Sequence, residues 1–331
     1  MINRKESQPA ANTNDWVDVG YLASMRSFAD AARGYTERFL TPTLGGARTV
    51  GTLTEPLGPR RSIGWVLCHS FGLEHVYLRT METAFAREMA AVGFPCLRFH
   101  SRGYGDGAFV AEGVDLSSHV ADTVDAVALL RRELRVAAVG LAGARFGASV
   151  AGIVAARHGA EGLILWDPVV VGDRYLDGLL RQTLLSSLAG NDASPATPRA
   201  LAPVRQEEPT DIQGVPLNDK ASRELSALDL VHEIGSFAGR ALVVQISRSH
   251  EPSSEIERLL SALRRGVASP TFDTVVPAAK QRPFGGPRFR GNIDGTKTDT
   301  QRDLQRDLIE RAIHWAQNSW SVPSGATGEG S

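Results

Sequence analysis

The chain has 331 residues, of which 42% are hydrophobic and 22% are charged, so it can bury a sizeable core and fits one large domain or one domain with an insertion. A formal net charge of -1, without any Lys/Arg-rich run, gives no reason to expect nucleic acid or an anionic membrane as a partner. Two cysteines, no apolar signal core at the N-terminus and no bilayer-length apolar run argue against disulfides, secretion and membrane insertion, so we predict a cytoplasmic protein.

Residues 1–47 are predicted to form an N-terminal arm, because polar residues dominate its start and only a weak helical period follows. From residue 48, short apolar runs alternate with segments whose apolar residues recur at helical spacing. The predicted strands cover residues 49–54, 64–68, 95–99, 136–141 and 162–166. The predicted helices cover residues 77–92 and 116–134 and a segment that ends near residue 158. This alternation predicts an α/β protein with a mostly parallel sheet and helices on both faces.

The pattern breaks over residues 172–238, which we interpret as an inserted helical cap. Predicted helices at 176–188 and 220–228 flank a polar, proline-containing loop in this segment. The sheet pattern then resumes with strands at 241–246 and 271–276 and helices at 254–265 and 300–319. The predicted core therefore comprises residues 48–171 and 239–320, and the polar tail 321–331 is predicted to be disordered.

In such a sheet, ligands bind beyond the carboxyl ends of the parallel strands. Four segments are expected at that edge: residues 69–75, 100–107, 143–147 and 167–175. The third reads Gly-Ala-Arg-Phe-Gly and joins a predicted buried strand to a helix of small residues. In a nucleophile elbow, spelled G-x-S-x-G, the glycines leave room for a strained turn that raises a serine above the sheet. Here Arg145 takes the place of that serine.

Several segments at this edge match a known family. They are Cys68–Glu74, Arg102–Asp106, Leu141–Ala148 and Leu165–Val170, followed by Tyr175 and Leu176. In this order they resemble the α/β-hydrolase superfamily over residues 48–320, and within it the exosortase-associated hydrolases and related enzymes of bacterial biosynthetic clusters. The resemblance implies the α/β-hydrolase fold and an oxyanion hole. Its backbone N–H groups would come from Phe146 and from the turn of His69, Ser70, Phe71 and Gly72.

The catalytic triad of the family does not carry over to this chain. Arg145 stands at the nucleophile position, and the loop after the last predicted strand holds no histidine. The acid position after the strand at 241–246 offers only Glu251 or Glu255, beside His250. Two independent departures argue against Ser-His-Asp acyl transfer.

An arginine at the elbow has two interpretations. As an anion clamp, its charged planar fork would bind a carboxylate or an enolate, aided by the positive end of the following helix. As a structural residue, Arg145 would pair with a nearby carboxylate and fill the vacated pocket. Asp167 ends the neighbouring predicted strand, so we expect it beside Arg145, either as the cap of its own turn or as an ionised orienter or base.

Histidines at the same edge are candidates for moving a proton, since imidazole titrates near neutral pH. His69 and His75 flank Glu74, and His100 starts the next loop. Each histidine is also explained as a side chain bonded to backbone in its turn. Glu74 is expected either to join them or to anchor one of two arginines, Arg79 or Arg102.

Other candidates are weaker. Ser70 lies in the expected oxyanion turn and Ser149 already lies in the helix, so neither is well placed as a substitute nucleophile. No ligand set with a known metal geometry is present, and neither a metal nor a cofactor is predicted. The remaining histidines in predicted helices or the cap are interpreted as structural: His119, His158, His232 and His314.

The leading hypothesis is an α/β-hydrolase-fold enzyme that eliminates a carboxylate, for example acetate, from a small acidic or polyketide-like metabolite. Relatives in bacterial polyketide clusters that expel acetate from an acetylated tetronate illustrate this reaction class. Arg145 would stabilise the anion, and the proton would move through one of His69, Glu74, His100 and Asp167. Substrate contacts are predicted for Ser70, Phe71, Gly72, His75, Phe146 and Tyr175. An esterase or thioesterase with an atypical nucleophile, and an inactive binding protein, are the alternatives; a homodimer stays open.

Overall fold

The computed structural model describes residues 26–108, 114–136, 138–189, 210–212, 215–266, 270–277 and 296–320. Nine strands form its central sheet: β1 (Ser27–Asp30), β2 (Tyr35–Leu40), β5 (Gly51–Pro56), β6 (Ile63–Cys68), β7 (Cys96–Phe99), β8 (Ala138–Ala144), β9 (Gly162–Trp166), β12 (Arg240–Ile246) and β13 (Thr271–Val275). Two short hairpins lie apart from it: β3 (Thr43–Leu44) with β4 (Ala47–Arg48), and β10 (Thr210–Ile212) with β11 (Val215–Leu217).

The described helices alternate with these strands. They are α1 (Gly72–Ala91), α2 (Leu116–Leu134), α3 (Phe146–His158), α4 (Gly172–Ala189), α5 (Asp219–Ser226), α6 (Leu230–Glu233), α7 (Ser254–Arg265) and α8 (Thr296–Ser319). The sheet has the strand order β1-β2-β5-β7-β6-β8-β9-β12-β13. From β7 to β13 in that order all neighbours run parallel, whereas β1, β2 and β5 are antiparallel.

The centre of the sheet is covered on both faces. Every residue of β6 and β9 is buried, as expected for continuous apolar strands in a parallel sheet. Helices α2, α3 and α7 pack on one face, and α1 and α8 pack on the other. The predicted α/β fold class with helices on both faces is confirmed.

The first two strands lie in the segment predicted as an N-terminal arm with a weak helical period. Strands β1 and β2 instead form a hairpin, which joins the sheet because β2 pairs with β5. Buried and less buried positions alternate from Tyr35 to Arg38, the period of a strand. Residues 27–40 therefore belong to the sheet and not to a separate arm.

Two helices begin earlier than predicted, and both differences move a site residue. Helix α1 begins at Gly72 rather than at residue 77, after Phe71, which provides no side-chain cap. Helix α4 begins at Gly172 rather than at residue 176. By contrast, α2 and α7 have their predicted bounds, and Asp115 and Ser253 cap them by accepting a backbone N–H. Without such a cap residue the sequence carried no start signal for α1.

The inserted segment between β9 and β12 carries α4, the β10–β11 hairpin, α5 and α6. Two contacts join this segment to the start of α2. Lys220 forms an ion pair with Asp115, and Glu224 accepts a hydrogen bond from the hydroxyl of Ser117 at 2.9 Å. The proline-containing loop of the predicted cap, the loop 281–295 and the tail 321–331 lie outside the described residues. In the part of the chain that the structure describes, no helix is long and apolar enough to cross a membrane.

Candidate functional site

The turn between β8 and α3 has the backbone of a strained elbow. Arg145 at its apex has φ 53° and ψ −123°, a conformation that is costly for a residue with a side chain. A Cβ atom on Gly147 would lie 2.2 Å from the carbonyl oxygen of Cys68, and one on Gly143 would lie 2.4 Å from the carbonyl carbon of Gly147. The two glycines are therefore required by the close approach of α3 to the strands, and they fix where the arginine side chain starts.

The Arg145 guanidinium lies between two carboxylates. Its Nε donates to Glu74 at 3.3 Å, and its Nη1 donates to the Asp167 carboxylate at 3.0 Å and to the Asp167 carbonyl at 3.2 Å. The pair of Arg145 with Asp167 was predicted from the sequence, and the structure forms it. Burial disfavours the charge on Arg145, but the two carboxylates outweigh that effect and raise its pKa.

Glu74 collects donors from three elements of the fold. Its Oε2 accepts from the hydroxyl of Ser70 at 3.0 Å and from the hydroxyl of Tyr175 at 2.7 Å, while Oε1 faces Arg145. Burial, and then the nearby Glu74, raise the pKa of the Tyr175 hydroxyl, so this group acts as a donor. We call Ser70, Glu74, Arg145, Asp167 and Tyr175 the charged network.

The predicted anchoring of Arg79 or Arg102 by Glu74 is wrong. Arg102 pairs instead with the buried Asp122 on α2, at 2.8 Å. Because Gly72 begins α1, Glu74 lies in the first turn of a helix whose dipole favours a negative charge there. Its side chain is thus directed to the elbow rather than along the loop.

The charged network is partly open to solvent. The side chains of Arg145, Glu74 and Asp167 are 27%, 16% and 25% exposed. Asp167 also has a positive φ of 44°, so backbone strain occurs at two neighbouring strand ends. One guanidinium thus faces two carboxylates at a partly open position of the sheet edge.

The histidines at this edge are packed as aromatic rings. His69 is buried, its Nδ1 lies 3.0 Å from the Ser70 carbonyl oxygen, and its Nε2 accepts from the backbone N–H of Ser101 at 3.1 Å. Both ring nitrogens are therefore engaged with backbone, which assigns the Nδ1–H tautomer. Burial lowers the pKa of His69 to about 4, so the ring is neutral near neutral pH. This geometry does not favour His69 as the proton carrier.

Two further buried imidazoles surround His69. The ring centroids of His75 and His119 lie 4.4 Å and 5.2 Å from that of His69, and Tyr104 lies 4.9 Å from it. His75 Nδ1 and His119 Nε2 are buried without a hydrogen-bond partner in the described part of the chain. Burial lowers the pKa of His75 to about 2 and that of His119 well below its usual value. We call His69, His75, His119 and Tyr104 the imidazole cluster.

His119 shows what sequence reasoning missed. Its place on the buried face of α2 was interpreted as structural, which its burial agrees with. The helix nevertheless brings its ring within 5.1 Å of Phe146, the residue next to Arg145. No local pattern could have placed it there, because the contact depends on how α2 packs against α3.

His100 lies at the periphery of both groups. Its ring centroid is 6.0 Å from that of His75, and its Nδ1 accepts from the backbone N–H of Asp106 at 3.1 Å. Burial lowers the pKa of His100, an effect that Asp106 partly opposes. The structure thus does not bring His100 into the charged network.

The predicted oxyanion turn is only partly available. The backbone N–H of Gly72 donates to the hydroxyl of Tyr104 at 3.2 Å, so this group is taken. Phe146 is the first residue of α3, where a backbone N–H has no acceptor within the helix. The buried rings of Phe71 and Phe146 pack edge to face, with their centroids 5.6 Å apart.

The other predicted acids and nucleophiles lie apart from Arg145. Glu255 pairs with Arg174 on α4, and Glu251 is exposed. The buried hydroxyl of Ser149 donates to the carbonyl of Val169 at 2.6 Å. Within the described ranges, no group of three or more His, Cys, Asp or Glu side chains could hold a metal ion.

Comparisons with known proteins agree on the fold. No family model and no curated protein matches the chain. A proline iminopeptidase-related protein from Thermus thermophilus matches with a TM-score of 0.52 at 19% identity, over 86% of this chain and 98% of that one. An esterase from Pyrococcus furiosus matches with a TM-score of 0.52 at 12% identity, over 86% and 93%. Est1E from Butyrivibrio proteoclasticus, in its complex with ferulic acid, matches with 0.51 at 14% identity, over 82% and 99%. The chain has the α/β-hydrolase fold.

Proposed function

We propose that this protein is an enzyme that eliminates a carboxylate, such as acetate, from a small acylated metabolite without forming an acyl-enzyme. The observation that supports the proposal is the side chain at the apex of the turn between β8 and α3, where Arg145 bridges Glu74 and Asp167. A guanidinium stays protonated and does not attack a carbonyl. Chemistry at this position therefore depends on charge and on proton transfer.

Asp167 is the best placed base. Glu74 accepts from three side chains, which hold its carboxylate in place and occupy both of its oxygens. Among the described residues, the Asp167 carboxylate accepts from Arg145 at 3.0 Å and, through its other oxygen, from the backbone N–H of Ile246 at a long 3.4 Å. Glu74 then orients Arg145, while Asp167 removes a proton next to the carbonyl of the substrate.

Arg145 would stabilise the charge that this step creates. When Asp167 takes the proton, the electron pair of the broken C–H bond forms a C=C bond. The bond between the alkyl carbon and the ester oxygen breaks at the same time, and the acyloxy group leaves. The leaving carboxylate carries away the negative charge, and the proton passes from Asp167 to solvent. Nη2 of Arg145 has no hydrogen-bond partner among the described residues, so it can donate to the enolate or to the leaving carboxylate.

The charges also refine the expected substrate. Two carboxylates already face one guanidinium, and the neighbouring imidazoles are neutral because burial lowers the pKa of His69 and His75. An anionic reacting group would be repelled in the ground state. The network therefore favours an acylated carbonyl compound whose reacting end is uncharged over an acidic metabolite.

An acetylated β-hydroxyketone tests the proposal directly, because elimination converts it to an unsaturated ketone that absorbs in the ultraviolet. Asp167→Asn removes the base and keeps the shape, so we expect kcat to fall at least about 100-fold. Glu251→Gln, at an exposed acid outside the charged network, is the matched control and should keep the wild-type rate. Equal rates for Asp167→Asn and wild type would overturn the assignment, and no turnover of acylated carbonyl compounds would favour a binding role.

One observation favours hydrolysis as a second candidate. The Ser70 hydroxyl donates to the Glu74 carboxylate at 3.0 Å, a contact that would help to deprotonate it. Ser70 is fully buried, however, and no imidazole nitrogen contacts its hydroxyl in the described part of the chain. An organophosphate that labels nucleophilic serines should leave the protein mass unchanged; a stoichiometric adduct that is lost in Ser70→Ala would establish the hydrolase.

A further inference from the structure

A cavity lies between α1 and the β1–β2 hairpin, and none of its lining residues belongs to the charged network. It has a volume of about 660 Å³ and is formed by the outer face of α1 and the turn of the β1–β2 hairpin. Its lining includes three arginines, Arg33, Arg79 and Arg87, and one acidic residue, Glu88. We call this cavity the arginine groove. Its lining mixes these charged side chains with two threonines and with apolar side chains, among them Val76.

Arg79 is the central donor of the arginine groove. Its side chain is exposed and forms no hydrogen bond or ion pair with the part of the chain that the structure describes. The exposed Thr80 lies next to it on α1 and adds a hydroxyl. A guanidinium without a carboxylate partner, beside a hydroxyl and in a concave surface, is suited to bind an oxyanion.

Arg87 is held in place with one edge free. Its Nε and Nη2 donate to the buried Glu37 at 3.1 and 2.7 Å, and its guanidinium lies 5.7 Å from the centre of the Tyr35 ring. Glu37 is also paired with Arg98 at 3.2 Å, so its charge is already balanced. Nη1 of Arg87 has no partner among the described residues and is directed by a fixed scaffold.

Arg33 completes the basic lining from the hairpin. It is 70% exposed, and its single ion pair, with Asp30, is long at 3.9 Å. The lining holds three arginines and one acidic residue, Glu88, while Arg33 and Arg87 also pair with Asp30 and Glu37. The donors left for a ligand are the Arg79 guanidinium and Nη1 of Arg87, and converging guanidinium donors of this kind suit the several oxygens of a phosphate.

We propose that the arginine groove binds the phosphate group of a small metabolite through Arg79, Arg87 and Arg33. This site is independent of the proposed elimination, since none of its residues belongs to the charged network. Helix α1 forms one wall of the arginine groove and carries Glu74 in its first turn. A ligand in the arginine groove would therefore contact the helix that positions Glu74 beside Arg145.

Inorganic phosphate is the probe, titrated by calorimetry into the wild-type protein at ionic strength kept constant with chloride. We expect saturable binding, with an affinity that falls about tenfold or more in Arg79→Ala, since one charge-assisted contact is lost. Arg131→Ala, at an exposed arginine on α2, is the matched control and should bind phosphate as the wild type does.

Circular dichroism of both variants confirms that they are folded, which the exposure of both side chains predicts. Binding that does not saturate, an unchanged affinity in Arg79→Ala, or an equal loss in Arg131→Ala would overturn the proposal. Succinate binding as tightly as phosphate would also overturn it, because the site would then be a carboxylate site. The elimination assay is unaffected by any of these outcomes, so the two proposals fail separately.

Discussion

The charged network around Arg145 and the imidazole cluster around His69 adjoin each other at one edge of the sheet, yet they hold their polar atoms in opposite ways. In the charged network, each carboxylate has a charged partner, and the side chains of Arg145, Glu74 and Asp167 are partly exposed. In the imidazole cluster, rings are buried and neutral, and two ring nitrogens have no partner within the described residues. The carboxylates and the guanidinium are partly exposed, whereas the imidazoles are buried.

This difference decides which residues are suited to move a proton. A histidine that acts as a base needs a free nitrogen within reach of the substrate and a pKa near the working pH. His69 satisfies neither condition, because both nitrogens are bonded to backbone and burial lowers its pKa to about 4. Asp167 has an accessible carboxylate beside a fixed cation. The carboxylates, rather than the histidines, carry the proposed chemistry.

The largest effect on stability is expected when the cation is removed from the charged network. Arg145→Met keeps most of the side-chain volume but leaves Glu74 and Asp167 without a cation, so we expect the free energy of unfolding to fall by about 3 kcal/mol. Urea denaturation measures it. Arg157→Met removes the exposed pair with Glu233 and should cost less than about 1 kcal/mol; equal losses would mean that the Arg145 network is a surface feature.

The imidazole cluster should make stability depend on pH. Because burial holds the pKa of His69 and His75 below the unfolded value of 6.5, at about 4 and about 2, the unfolded chain binds more protons in that range. Stability is thus fully present above pH 6.5 and declines as the pH falls, by up to about 1.4 kcal/mol per pH unit for each imidazole.

Replacing one ring tests that origin. His119→Leu fills a similar volume without a titrating group. Between about pH 6.5 and pH 5, the free energy of unfolding should therefore fall less in this variant than in the wild type, because one imidazole no longer contributes. His158→Gln, at an exposed histidine, is the control and should leave the decline unchanged. An identical pH dependence in His119→Leu and wild type would mean that the cluster is not the cause.

The smallest effect is expected at the rim of the charged network. Tyr175→Phe removes only the hydroxyl that donates to Glu74 at 2.7 Å, so thermal or urea denaturation should show a loss of about 1 kcal/mol. Tyr77→Phe, at a half-buried tyrosine on α1, is the control, since its hydroxyl has no hydrogen-bond partner among the described residues. A loss in Tyr77→Phe as large as that in Tyr175→Phe would remove the Tyr175 hydroxyl from the network.

The fold could be predicted from the sequence because its signals are local. The buried strand at 162–166 is a continuous apolar run, the bounds of α2 follow from a cap and a period, and the glycines around Arg145 mark the elbow. The start of α1 carried no such signal, since Phe71 provides no cap. That single difference moved Glu74 from a loop into a helix.

The partners in the site could be predicted only where neighbouring strands bring them together. Asp167 and Arg145 end adjacent parallel strands, so topology alone placed them side by side. Glu74 lies 71 positions from Arg145 along the chain, and its choice of Arg145 over Arg102 depends on how α1 packs. Arg102 instead forms an ion pair with Asp122 on α2. Such choices depend on side-chain geometry that no spacing in the sequence encodes.

The most direct test of elimination against hydrolysis uses an acetylated β-hydroxyketone in water enriched in a heavy oxygen isotope. The measured quantity is the mass of the released acetate, which shows where its oxygen atoms come from. Elimination breaks the bond between the alkyl carbon and oxygen, so both oxygens of the released acetate come from the ester. We therefore expect acetate of ordinary mass together with an unsaturated ketone. Hydrolysis adds water to the acyl carbon, and acetate that carries one heavy oxygen would contradict the proposal that Arg145 has replaced nucleophilic chemistry at the elbow.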